Sequence, residues 1–313
     1  MPKVEMSNQP ILVTGAHRSG TTWVGKVLCA SSEAAYISEP LNLWHRPGVL
    51  SVPVSGWYTY ITDENEAAYL TAFKDMLHYR YHLWAEIQSI KSWKDFLRML
   101  RDGNTFFWGK LLNKRPLLKD PFAVFSIPWF VERLNCEVVV TVRHPLAFVS
   151  SLKRLEWNFD FSDLLEQPLL MRDCLNPYRQ EILAVQQIPD DIITQGSLLW
   201  KLIYRTAYDY RNLHPKVMFA RHEDLSKEPM ECFRCLYEAL GLSFSSKVEK
   251  AILESSGSEN PKELSRNKAH AVRLDSRSNL ENWKRRLTDD EIERIKQLTG
   301  EAASRFYPEA YWQ

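Results

Sequence analysis

Residues 11–28 read ILVTGAHRSGTTWVGKVL: a β-prone run, a turn with two glycines, then a helical pattern starting near Thr21. Residues of these types in this order suit a cradle for a phosphate. Gly15 and Gly20 let the backbone pass close to an anion, amides left unpaired at the helix start point at it, and Ser19, Thr21 and Thr22 add hydroxyl donors. The alternative is a tight strand-to-helix connection with no ligand. An ATP-type loop, G-x-x-x-x-G-K-[ST], has lysine directly after its second glycine. Here Thr21 stands in that place and the cation is Arg18, inside the loop.

A second segment, VVVTVRHPLAFVSSLKR, puts Arg143 at the tip of a buried strand and Ser151 in the helix that follows. Ligands of open α/β sheets bind outside the carboxyl ends of the strands, so Arg143 is expected in the same crevice as the glycine loop, with a structural ion pair as the alternative. An NTPase usually has a metal-binding Asp near such a strand end, whereas this strand runs into Arg143 and His144. A nucleotide held by protein cations, with no metal, is the simpler expectation. Lys119 ends another apolar run and should point into the same crevice, unless it pairs with Asp120 or Glu132.

Strands must carry these residues to one edge. Five short β-branched or apolar runs, at 11–14, 35–38, 116–119, 137–142 and 217–220, alternate with helical patterns, and the VVVTV run is apolar on both faces. That pattern predicts a three-layer, P-loop-like α/β fold with a central parallel sheet flanked by helices. Residues 1–313 are read as a single domain. Residues 43–115 are expected to form an aromatic-rich helical insertion on the acceptor side, and 255–283 a polar loop on the nucleotide side, dotted with Arg266, Lys268, Arg273 and Arg277.

Composition narrows the function classes. A chain of 313 residues buries enough surface to need neither disulfides nor a structural metal. The 40 Lys and Arg against 39 Asp and Glu leave a charge of +1, so no global field favours nucleic acid or a membrane, and any anion site must be local. Five cysteines, an odd number, do not suggest a disulfide framework. With no apolar run of about 18 residues and no apolar leader, the expectation is a cytoplasmic protein without integral membrane contact.

Taken together, these residues resemble the sulfotransferases that use 3′-phosphoadenosine-5′-phosphosulfate (PAPS) and release 3′,5′-adenosine bisphosphate (PAP), closer to carbohydrate-type and bacterial members than to cytosolic aryl and steroid members. Arg18-Ser19-Gly20-Thr21-Thr22-Trp23 is similar to the family's 5′-phosphosulfate loop, and Arg143 with Ser151 to its 3′-phosphate site. Arg221-His222-Glu223-Asp224-Leu225 resembles its strand-end E-D-L, and Trp283-Lys284 its C-terminal tryptophan. The resemblance covers most of the chain outside the insertion. Arg18 replaces a lysine, which keeps the charge and puts proton donation in doubt. Of the family's R-K-G-x-x-G-x-W element, Ser276, Arg277 and Ser278 occupy the first three places, which leaves Arg277 as the remaining cation.

Cytosolic members deprotonate the acceptor with the histidine of a K-x-H element, but Pro121 stands in that place here. Ser38-Glu39-Pro40-Leu41 resembles the E-P element of carbohydrate-type and bacterial members, which implies Glu39 as general base, with His17 and His45 as rivals. Arg18 and Lys119 are then the expected charge stabilisers, and Trp44, His45, Trp57 and Tyr58 the acceptor-side residues. The implied function is sulfuryl transfer from PAPS to a hydroxyl of a carbohydrate or small metabolite, without metal. The rivals are a P-loop kinase or NTPase and a nucleotide-binding scaffold without turnover. Cys232 and Cys235 are read as helix core fillers, residues 222–224 as a strand-end turn, and Thr288 as a helix cap.

Overall fold

The computed structural model describes residues 9–261 and 275–312, so Arg266, Lys268 and Arg273 lie outside the described residues. Its sheet has five parallel strands, β1 (Ile11–Gly15), β2 (Ala34–Ser38), β3 (Arg115–Lys119), β4 (Glu137–Val142) and β5 (Val217–Arg221), in the order β2-β3-β1-β4-β5. All five runs expected from the sequence are strands, each within one residue at either end. Neighbours on both sides and helices on both faces bury every residue of β1 and β3, whereas the edge strands β2 and β5 are only partly buried.

Alternation along β1 divides the interior. Leu12 faces one apolar core with Leu118, Val138, Val140 and the helix Ile192–Leu213, while Ile11 and Val13 face a second core with Val24, Leu117 and Val139. A core on each face of the sheet gives the three layers. α1 (Thr21–Leu28) follows β1, while α2 (Leu70–Leu77), α3 (Leu83–Gln88) and α4 (Trp93–Leu111) lie between β2 and β3. α5 (Ile127–Leu134) leads from β3 to β4, and α6 (Pro145–Leu155) leaves β4.

The chain leaves β1 toward β2 and leaves β4 toward β5, on opposite sides. The carboxyl ends of β1 and β4 therefore flank a crevice at the point where the strand order reverses. Thr288 caps the helix Asp289–Ala303 in a reciprocal box with Glu291, as its sequence predicts. On the helix Pro229–Ala239, half-buried Cys232 packs against the second core as expected, whereas Cys235 is exposed and does not.

Candidate active site

The glycine loop runs from the end of β1 to the start of α1. Gly15 has φ +134°, and a Cβ there would lie 2.3 Å from the Thr141 carbonyl oxygen on β4, so only glycine fits. The Ser19 amide donates to the Ala16 carbonyl at 3.2 Å, and its hydroxyl donates to the same oxygen at 2.5 Å. That hydroxyl also lies 2.6 Å from Thr141 Oγ1. Buried as it is, Ser19 pins the loop to β4 rather than offering its donors outward. Gly20, with φ +100°, precedes α1, whose first turn brings the amides of Thr21, Thr22 and Trp23 to the crevice.

Arg18 and Arg143, 125 residues apart, are brought together here. Arg143 Nη1 donates to the Arg18 carbonyl at 3.0 Å, and Arg18 Nε donates to Ser151 Oγ at 3.2 Å. Arg18 itself sits in the left-handed region, with φ 68°. Burial, then the charges of Arg143, Arg154 and Arg286, push the Arg18 guanidinium down to about 9, so it remains a cation at neutral pH. Burial also lowers Arg143, with the Glu223 carboxylate opposing. Arg154 and Arg286 thus join a cation cluster that sequence reasoning missed. The signals were present: Arg154 is three residues after Ser151 on α6, hence on the same face, and Arg286 is one helical turn beyond Trp283.

His222, read from the sequence only as part of a strand-end turn, also lies at the glycine loop. A Cβ on residue 20 would meet His222 Nδ1 at 2.8 Å, and the ring lies edge-on to Trp23 at 5.8 Å. It is buried, neither ring nitrogen has a partner among the described residues, and burial, then Arg143, pushes it down to about 3. The ring is a neutral hydrogen-bonding group beside the glycine loop. Glu223 accepts from the His144 amide at 2.9 Å and from the Tyr307 hydroxyl at 2.7 Å, which secures the turn after Arg143.

Arg277 is placed differently. It is exposed, donates to the Lys227 carbonyl at 2.7 Å and lies 3.6 Å from Glu228, while the Ser278 hydroxyl donates to Asp275. The partners of Arg277 and Ser278 are thus Lys227 and Asp275, away from the bonds that join Arg18, Arg143 and Ser151.

On the other flank, Ser38 pairs in register with Lys119, and Val13 of β1 pairs with Lys119 in turn. The Glu39 amide donates to the Lys119 carbonyl at 2.7 Å, and Lys119 Nζ donates to Glu39 Oε1. Asn42 Nδ2 donates to Glu39 Oε2 at 2.7 Å. Glu39 has φ 49°, a conformation uncommon for a residue other than glycine, Asn or Asp. The Lys119 stem runs past α1 at Gly25, where a Cβ would stand 3.3 Å from it, so the glycine admits the lysine. Asp120 does not take Lys119; its carboxylate accepts from the Leu41 amide at 2.5 Å and the Phe122 amide at 2.9 Å. Burial raises Asp120 to about 7 against those two bonds.

The remaining expected residues line this flank. Trp44 is exposed and meets Trp57 edge-on at 5.2 Å, Trp57 packs on Phe122 at 4.3 Å, and His45 Nδ1 lies 2.9 Å from the Asn42 carbonyl. Tyr58 is fully buried behind them, its hydroxyl 2.7 Å from His17 Nδ1. His17 is enclosed by Phe122, Phe148 and Trp157. Among the described residues, no group of three His, Cys, Asp or Glu side chains is placed to hold a metal ion. The site combines a glycine turn, an arginine cluster and a lysine-held carboxylate, an arrangement suited to binding a polyanion beside a base.

Comparison with known proteins finds similarity to sulfotransferases. The family model described as "Sulfotransferase domain" matches residues 8–307. Carbohydrate sulfotransferase 1 of Danio rerio is 27% identical over 179 residues, which are 57% of this chain and 38% of that protein's length. Among solved structures, sulfotransferase STF9 from Mycobacterium avium aligns with 96% of this chain and 77% of its own, at 14% identity and TM-score 0.46. The sulfotransferase domain from the curacin biosynthetic pathway aligns with 93% of this chain and 97% of its own, at 16% identity and TM-score 0.46.

Proposed function

The chain belongs to the sulfotransferase domain family, and from that premise we propose that it transfers a sulfuryl group from PAPS to a hydroxyl of a carbohydrate or small hydroxylated metabolite. The observation that carries this reading is the meeting of Arg18, Arg143 and Ser151 beside the glycine loop, one strand away from the Glu39 and Lys119 pair.

The residues divide the work. The amides of Gly20, Thr21, Thr22 and Trp23, with Arg18, receive the 5′-phosphosulfate end; Arg143 and Ser151 receive the 3′-phosphate, while Arg277 and Ser278, offered for it by the sequence, are engaged with Lys227 and Asp275. Trp44, His45, Trp57 and Tyr58 form or back the acceptor side. Glu39 takes the acceptor's proton as its oxygen bonds to sulfur and the bond from sulfur to the donor phosphate breaks. A carboxylate accepts about four hydrogen bonds, so Lys119 and Asn42 orient Glu39 without exhausting it. Arg18 and Lys119 neutralise charge on the departing phosphate, the main task in a loose in-line transfer. Arg18 acts as a fixed cation rather than a proton donor.

The test is transfer of radiolabelled sulfate from PAPS to a panel of sugars, phenols and alcohols. Glu39→Gln should keep PAP affinity and lose about 10²-fold or more in turnover. Full activity of this variant removes Glu39 as base. PAP binding with no transfer to any acceptor supports a scaffold, and tight ATP–Mg²⁺ binding with no response to PAP supports a kinase or NTPase.

A further inference from the structure

Among the described residues, the insertion between β2 and β3 carries most of the large exposed apolar side chains, and five of them share one face of α4. On α4, Trp93, Leu97, Leu100, Phe107 and Leu111 follow one another at intervals of three, four or seven residues, which at about 100° per residue aligns them in one stripe. Trp93 is 71% exposed, Phe107 61% and Leu111 60%, and Trp84 on the adjoining α3 is 79% exposed. Single exposed apolar residues are ordinary on a protein surface, but a stripe of five along one helix, interrupted only by Asn104, is not.

The helix cannot roll to hide this face. On its inner side, a Cβ at Gly109 would stand 2.5 Å from the Tyr79 ring, and Phe106 packs edge-on against Tyr81 at 5.3 Å. At its start, Arg46 reaches Glu86 at 2.6 Å and Asp95 at 3.2 Å, which joins α3 and α4 to the segment that follows Glu39. The stripe therefore faces outward, on the same insertion that adjoins the site.

Charge selects the occupant. Residues 91–114 hold six cations, Lys91, Lys94, Arg98, Arg101, Lys110 and Lys114, against only Asp95 and Asp102. Asp95 pairs with Arg46 at 3.2 Å and with Arg98 at 3.6 Å, and Asp102 pairs with Arg101 at 2.8 Å, which leaves Lys91, Lys94, Lys110 and Lys114 as the surplus. Lys94, Arg98 and Arg101 border the apolar stripe on one side and Lys110 on the other, all exposed. We propose that the outer face of α3 and α4 seats the protein on an anionic lipid surface. A helix with Trp, Phe and Leu on one face and flanking cations lies in the membrane interface, with indoles at headgroup level and lysine and arginine stems reaching the phosphates. A second copy of the chain is a poor occupant, because self-pairing would set the same surplus of positive charge against itself. No helix among the described residues is long and apolar enough to cross a membrane, so the contact lies along the surface.

The test is co-sedimentation of the full chain with phosphatidylcholine vesicles with and without phosphatidylglycerol. Binding should require the anionic lipid, fall as salt rises, and drop about tenfold or more in Trp84→Ser/Trp93→Ser/Phe107→Ser. All three side chains are exposed, so the variant should keep its circular dichroism and PAP affinity. Undiminished vesicle binding by the variant, equal binding to both vesicles, or no vesicle binding with concentration-dependent dimerisation that the variant abolishes would each overturn the proposal. Loss of PAP binding by the unaltered chain would instead count against the nucleotide site and leave this surface standing.

Discussion

Lys119 and Glu39 hold each other twice: the ammonium donates to the carboxylate, and the Glu39 amide donates back to the Lys119 carbonyl at 2.7 Å. The backbone bond sets Glu39 one residue past the edge of the sheet, and the side-chain bond aims its carboxylate. Because Lys119 also pairs in register with Val13, two residues before the loop glycine Gly15, the base candidate and the anion cradle share one rigid frame.

Removing either partner should therefore affect turnover more than nucleotide binding. Lys119→Met is expected to lower kcat about 10²–10³-fold, with PAP affinity changed much less. The Lys119→Met/Glu39→Gln double variant should lose far less than the product of the two single losses, since the residues act as a unit. Multiplicative losses in steady-state assays would show that they act separately.

The arginine cluster should be read out by salt and by heat. Arg143→Ala is expected to weaken PAP binding at least about tenfold and to flatten its salt dependence, because a cation facing the ligand is lost. PAP should raise the Tm of the unaltered protein, since it binds the folded form and relieves repulsion among Arg18, Arg143, Arg154 and Arg286. An unchanged salt dependence in the variant, measured by calorimetric titration, would remove Arg143 from the site.

Asp120 makes a pH prediction with a definite sign. Burial raises its carboxyl from an ordinary 3.8 to about 7, so between those values the folded protein holds a proton that the unfolded chain has released. Its contribution is then fully present below about pH 4 and declines toward pH 7, by up to about 1.4 kcal/mol per pH unit. His144 and His222, both pushed down to about 3, act oppositely, losing stability as pH falls from 6.5 toward 3. The difference between the unaltered protein and Asp120→Asn isolates the carboxyl. Urea unfolding from pH 4 to 8 should show the unaltered protein losing ground to the variant as pH rises, and parallel curves would refute this.

Much of the fold is legible in local sequence because its strands are locally determined. Runs such as VVVTV carry their burial in their composition, and Gly15 and Gly20 stand where φ is positive and a side chain would collide. Arg154 and Arg286 were less visible, since each lies outside the motif it supports and joins the cluster only when α6 and the segment after Trp283 approach each other. Within the aromatic insertion, composition alone does not tell inward from outward: Trp84, Trp93 and Phe107 face outward, because Tyr79 and Tyr81 occupy the inner side of α4.

By itself the sequence determined the strands, the glycine turn and the kinds of charge available, since these depend on side-chain shape and backbone freedom within a few residues. Only the tertiary structure decided the pairings: Lys119 with Glu39 rather than Asp120, Ser19 turned inward onto β4, Arg18 joined to Ser151, and His222 set against Gly20. Each of these joins residues distant in sequence, which strand order and helix packing bring within reach; in the first three, burial obliges a polar group to find a partner there.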